Sequence, residues 1–245
     1  MKYSRAEALR YLRAQANDEA AGVLVDTVFL KLRNEVQARH VLQKHACQVL
    51  EDGLLLECGV KFTSKDLAKH LAGCKEVLLL AATLGSKLDV AIRRLALGSV
   101  AEGAAAQAVA ATIIEGYCDE VQERVETDLN QRPRFSPGYG DWDLSEQRKL
   151  FVLLECEKKL GLTLTDGLMM APSKSVTAVI GLSEEERCLW NKCQQCNNIN
   201  CPNIKASDLQ PWCECVGETD GLQWTLMKQY LDMCRFVLEN GKIKI

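Results

Sequence analysis

Nine residues from Arg134 to Trp142, RFSPGYGDW, concentrate side chains that could do chemistry with residues that set backbone shape. Pro133 and Pro137 stiffen the stretch, while Gly138 and Gly140 admit backbone conformations closed to other residues. The segment can therefore offer peptide N–H and C=O groups to a ligand. Arg134 adds a planar fork of donors that matches a carboxylate. On local chemistry alone, the plainer reading is a packed loop with a surface arginine.

Cysteine supplies the second concentration. Of 12 cysteines, seven fall between 188 and 234. Cys188, Cys193, Cys196 and Cys201 are separated by four, two and four residues. A C-x2-C pair sets two thiolates at one metal. The first three positions follow the plant-type ferredoxin spacing, and zinc also takes four thiolates, so an iron-sulfur cluster, zinc and reduced thiols all stay open. The segment has few apolar residues with which to fold, a shortage that a metal crosslink would offset. Cys47, Cys58, Cys74, Cys118 and Cys156 lie in apolar stretches and read as small core residues.

Other chemistries find little support. Only His40, His45 and His70 are present, without H-E-x-x-H spacing, and no P-loop, G-x-S-x-G or dinucleotide fingerprint occurs. The acids of D-W-D (141 to 143) read more simply as negative charge at a helix start than as an acid-base pair. A net charge of −3 without a basic block argues against nucleic acid. The longest apolar runs fall short of the ~20 residues of a membrane span, and the charged start MKYSRAEALRYLRAQ does not resemble a signal peptide. A cytoplasmic protein with neither nucleic-acid nor membrane partners is expected.

The elements that must position these residues follow from periodicity. Ser4 with Glu7 opens a short amphipathic helix through Leu9 and Leu12, and a second helix covers about 18 to 36. Two strands flank the turn at Glu51, Asp52 and Gly53. Thr63 and Ser64 start a helix ending at Gly73, and KEVLLLAATLG reads as a buried strand. Helical patterns run from Ser86 to Leu97 and, after the Ser99–Glu102 capping box, from about 100 to 129. The Ala- and Gly-rich first half of that long helix lets it lie close to a sheet or a ligand. Asp143 with Glu146 caps a helix that stops at Gly161, and LTDGLMMAP and SVTAVIGL read as short strands on either side of Pro172. A final helix is expected over 222 to 239. Helices and strands without strict alternation indicate an α+β fold. The composition shift near Ser183 divides the chain into an α+β domain, 1–183, and a Cys-rich segment with a C-terminal helix, 184–245.

Three linked stretches resemble one family. Arg134-x-x-x-Gly138-Tyr139 is similar to the R-x-x-x-G-Y signature of the reactivation (activation) domain of cobalamin-dependent methionine synthase. FVLLECEKKLGLTLTDGLMMAPSKSVTAVIGLS resembles that domain's helix, Leu-Thr-acid step and strand pair. AATIIEGYCDEVQERV resembles the helix before the signature and includes Glu115. The resemblance covers about 105 to 183. It implies a mixed or antiparallel sheet packed with long helices, and an S-adenosylmethionine site. There, Arg134 holds the ligand carboxylate, Glu115 meets its α-amine, and Ser136, Gly138 and Tyr139 frame the nucleoside. Two features depart from the family: no counterpart of an aspartate near the domain's start is found, and Ile180 stands where the family has a tyrosine.

The resemblance further implies a corrinoid-binding methyltransferase as partner, with cobalamin reaching this chain only through that partner. An oxidised corrinoid takes up one electron and then the methyl group of the sulfonium, so an electron donor is also implied. With no homocysteine, folate or cobalamin module and no D-x-H-x-x-G signature, a stand-alone accessory component of methionine biosynthesis is expected instead of a complete methionine synthase. The competing expectation is a docking or electron-transfer protein that has kept the fold and lost the ligand.

Overall fold

The computed structural model describes residues 2–184. The expected Cys188, Cys193, Cys196 and Cys201 site and the helix at 222 to 239 lie outside these residues. The described elements are, in chain order, α1 (Arg5–Tyr11), α2 (Glu19–Leu32), β1 (Arg39–Leu50), β2 (Gly53–Leu56), β3 (Lys61–Thr63), α3 (Lys65–His70), β4 (Glu76–Thr83), α4 (Ser86–Gly98), α5 (Val100–Glu123), β5 (Asn130–Gln131), α6 (Gln147–Leu153), α7 (Cys156–Leu160), β6 (Thr163–Leu164), β7 (Met170–Ala171) and β8 (Ser175–Ser183).

Six strands form one sheet in the order β3-β2-β1-β4-β8-β5, with every pairing antiparallel. β4 is central and buried almost throughout, which explains why its sequence is a continuous apolar run. Its side chains alternate between two cores. Leu78, Leu80 and Ala82, with Ile180 and Leu182 of β8, pack under α1, α2, α4 and α5. Val77, Leu79 and Ala81, with Val179 of β8, pack under α3, α6, α7 and the loop residues Phe135 and Trp142. This is an α+β fold of helices on both faces of an antiparallel sheet. The expected strand pair around Asp52, the β4 strand and the Ser4, Ser64 and Ser99 caps are all present.

Several elements differ from expectation. α5 stops at Glu123, not near 129, because Val125 and Leu129 turn back onto the first core before β5 begins. The helix expected from Asp143 to Gly161 is interrupted at Glu155, which has φ 51. Leu154 and Cys156 would sit about 200° apart on a straight helix, yet both are fully buried, and the interruption turns both inward. LTDGLMMAP is not one strand: β6 and β7 pair with each other in a separate two-stranded hairpin. Among the five cysteines read as core, Cys74, Cys118 and Cys156 are buried, Cys47 is half-buried, and Cys58 is exposed in the turn after β2. Among the described residues no helix is long and apolar enough to cross a membrane.

Candidate functional site

The stretch from Gln131 to Phe135 lies along the free side of β8. Gln131 pairs with Leu182, Arg132 N–H donates to Gly181 C=O at 2.7 Å, and Phe135 and Val179 exchange both backbone hydrogen bonds at 2.8 and 2.9 Å. Four steps from Gln131 to Phe135 thus oppose three from Leu182 to Val179. The surplus residue makes a bulge around Pro133, whose missing N–H suits a place where the ladder is interrupted. Side chains two apart on a strand normally share a face. Across this bulge they do not. Arg132 stays against Gly181 and the α3 side, whereas Arg134 points to α5.

Arg134 is therefore received by one face of α5. Its Nη2 donates to Glu115 Oε2 at 2.7 Å, and its Nη1 donates to Asp119 Oδ1 at 2.8 Å and to Gln122 Oε1. Positions 115, 119 and 122 recur at helical spacing and so lie on one side of the helix. Gln131 Nε2 donates to the Gln122 backbone carbonyl at 2.9 Å, tying β5 to the same turn. The Arg134 side chain is 5% exposed, while those of Glu115 and Asp119 are 43% and 29% exposed. The cation is thus sunk beneath two acids that still face water. Burial disfavours its charged form, but neighbouring groups, Glu115 first and Asp119 among them, outweigh that and hold the guanidinium firmly protonated. Arg134 and Glu115 face each other and touch directly. With two carboxylates and one guanidinium, the cluster carries a formal −1.

The turn after Arg134 is braced from within. Tyr139 N–H donates to Ser136 C=O at 3.1 Å, Gly138 N–H to Trp142 C=O at 2.7 Å, and Trp142 N–H to Tyr139 C=O at 2.9 Å. Gly138 has φ 93 and Gly140 φ 53, a region in which a β-carbon is strained. Phe135, on the opposite face from Arg134, packs at 5.8 Å from the Tyr139 ring and 6.0 Å from that of Trp142. Ser136, Gly138 and Tyr139 thus form one turn continuous with Arg134, and the Tyr139 ring packs against the second core.

The acids of D-W-D have separate duties. Asp143 caps its own helical turn by accepting from Ser145 N–H at 2.7 Å. Asp141 instead caps α3, accepting from Lys65 N–H at 2.9 Å, from Asp66 N–H at 3.1 Å and from the Ser64 hydroxyl. This corrects the reading of both acids as one helix's start. His70 at the other end of α3 donates from Nε2 to Pro133 C=O at 2.9 Å. The loop is thus clasped at both ends of a short helix.

Sequence reasoning missed Asp119 and Gln122, whose only signal is their spacing from Glu115. Ile180, noted as a departure, is fully buried in the core beneath α5. Cys118 sits next to the cluster, but burial pushes its thiol up to about 12, so it is neither nucleophile nor ligand at neutral pH. Among the described residues no group of three or more His, Cys, Asp or Glu could hold a metal ion.

Residues 104–198 match the family model for the vitamin B12 dependent methionine synthase activation domain. Among solved structures, the MetH reactivation domain bound to AdoHcy is similar, with a TM-score of 0.55 and 18% identity over 73% of this chain and 70% of that one. None of the curated proteins matches the chain.

Proposed function

We propose that this chain, whose residues 104–198 match the methionine synthase activation-domain model and whose fold is similar to that of a solved reactivation domain, binds S-adenosylmethionine at the Arg134–Glu115 cluster and presents it to the reduced corrinoid of a separate methyltransferase protein. The observation that carries the reading is the ion pair itself. A buried guanidinium beside a partly exposed carboxylate, at the root of a glycine-containing turn, offers one cation and one anion to a zwitterionic amino acid. The solved relative's complex with AdoHcy lends further support, since that ligand ends in the same amino acid moiety.

S-adenosylmethionine, when bound, supplies a methyl group activated on a sulfonium. The residues of this chain bind and orient it. Arg134 exchanges its internal carboxylates for the ligand's, Glu115 is released to meet the α-amine, and the Ser136–Tyr139 turn offers its backbone and the Tyr139 ring to the nucleoside. No proton transfer is asked of any of them. The chain's contribution is placement, which alone can supply much of a methyl-transfer barrier.

A single titration tests this. Calorimetry should show saturable binding of S-adenosylmethionine, and Arg134→Ala should weaken it by about 30-fold to several thousand-fold, the roughly 2 to 5 kcal/mol of a lost charge-assisted contact. One observation favours the alternative of a docking protein without ligand: Arg134 is already neutralised by its own helix. Lack of binding by the unaltered chain at millimolar ligand would decide for that alternative.

A further inference from the structure

The cluster around Arg134 has one more charge than a simple amino acid requires. Glycine or methionine brings one carboxylate and one ammonium, which Arg134 and Glu115 would satisfy, releasing Asp119 from its hydrogen-bonded cation once Arg134 turns to the ligand and leaving it only the more distant ammonium of Lys2, which Glu123 already holds. That carboxylate is 29% exposed, lies 2.8 Å from the guanidinium, and belongs to the turn of α5 next to that of Glu115. Releasing it without a replacement cation would oppose binding. A ligand with one anion and two cations removes the difficulty, since it is the charge complement of one guanidinium and two carboxylates.

We infer that Asp119 is the specificity-determining residue of this site: it receives the second positive charge of the ligand, the sulfonium, and so makes the pocket prefer the charged methyl donor over the neutral thioether left after transfer. The inference rests on the proposed S-adenosylmethionine site and assigns within it a role that Arg134 and Glu115 do not cover. Gln122 holds the same guanidinium hydrogen-bond donor as Asp119. As a neutral amide it steadies Arg134 without competing for the ligand's charge.

The physical consequence is a preference that depends on one carboxylate. A sulfonium has no N–H or O–H to donate, so its recognition is purely electrostatic. It should therefore survive replacement by another acid and vanish with a neutral isostere.

The test compares S-adenosylmethionine with S-adenosylhomocysteine by calorimetry on the unaltered chain, Asp119→Asn and Asp119→Glu. Thermal melts show that each variant is folded. The unaltered chain should bind the sulfonium form about tenfold or more tightly than the thioether. Asp119→Asn should bring the two affinities within about threefold by weakening the sulfonium form alone, and Asp119→Glu should retain most of the preference. Equal weakening of both ligands by Asp119→Asn would mean that Asp119 only positions Arg134. That result, or no weakening of either, overturns the inference while leaving the binding site standing. If the unaltered chain binds neither ligand, the site reading falls and this inference with it.

Discussion

Arg132 and Arg134 stand two residues apart on the same edge stretch, and both are buried, yet their surroundings are opposite. Arg134 meets two carboxylates and a side-chain amide on α5. Arg132, 1% exposed, lies over Gly181, where an added β-carbon would come within 2.7 Å of Cys74 Sγ and Leu71 Cδ2 and within 2.8 Å of Arg132 Cγ. Its contacts are long: Nη2 reaches Ala72 C=O at 3.3 Å and Ser183 Oγ at 3.5 Å, and its Nε and Nη1 have no hydrogen-bond partner. No carboxylate among the described residues pairs with it. The contrast shows that the bulge at Pro133 selects which arginine becomes chemically useful. It turns one of them onto a helix face that carries acids and leaves the other in a mainly apolar seam.

The comparison breaks most readily at Arg134. Truncation should do more than remove ligand binding, because Glu115 and Asp119 are one helical turn apart and would repel each other. Arg134→Ala should lower unfolding free energy by about 2 kcal/mol in urea titrations. That is below the cost of breaking a fully buried pair because both acids are partly solvated. Adding Asp119→Asn should recover part of the loss. If Arg134→Ala costs no more than an ordinary surface substitution, the ion pairs are not holding α5 to the loop.

How much of this was legible in the sequence depends on whether the signal was local. The β4 run, the serine caps and the Gly161 stop, which has φ 67, are local patterns and appear as read. Arg134 stood out by its Pro- and Gly-rich setting, but Glu115 came only through resemblance to a family, since a single acid on a helix looks like a solvated face. Asp119 was invisible for the same reason. Its role exists only because the chain returns 15 residues later with a cation. The opposite facing of Arg132 and Arg134 could not be read at all. Strand periodicity puts residues two apart on one face, and the extra residue is apparent only once the stretch is paired with β8. The break at Glu155 likewise follows from the burial of both Leu154 and Cys156 in the second core and not from any helix-stop residue.

The α3 side of the loop is held by hydrogen bonds to the backbone, and Asp141 is the place to test that. Asp141→Ala should cost about 1 kcal/mol, typical of losing an N-terminal cap. The Ser64 hydroxyl, followed by the N–H groups of Asp66 and Lys65, holds its carboxyl below the usual 3.8. Because the folded value is the lower one, the contribution is fully present above pH ~4 and is lost as pH falls through the folded value. The gap between Asp141→Ala and the unaltered chain should therefore be at its full size at pH 7 and shrink below pH 4. A gap that is constant down to pH 2 would mean that Asp141 contributes through packing and not through charge.

The smallest effect is expected at Arg132, and its sign is the informative part. A buried guanidinium without a carboxylate bears the cost of desolvation and recovers little of it through two long contacts. Methionine has a similar reach along Gly181 and adapts to irregular space without needing a hydrogen-bond partner. Arg132→Met should therefore leave stability unchanged or raise it by up to about 1 kcal/mol, where a residue held by its charge would lose several. Because Arg132 points away from α5, the substitution should also leave S-adenosylmethionine affinity within about threefold of the unaltered chain. A loss of more than about 1 kcal/mol would show that the two long contacts of Arg132 outweigh its desolvation. The two arginines would then differ in partner and not in kind.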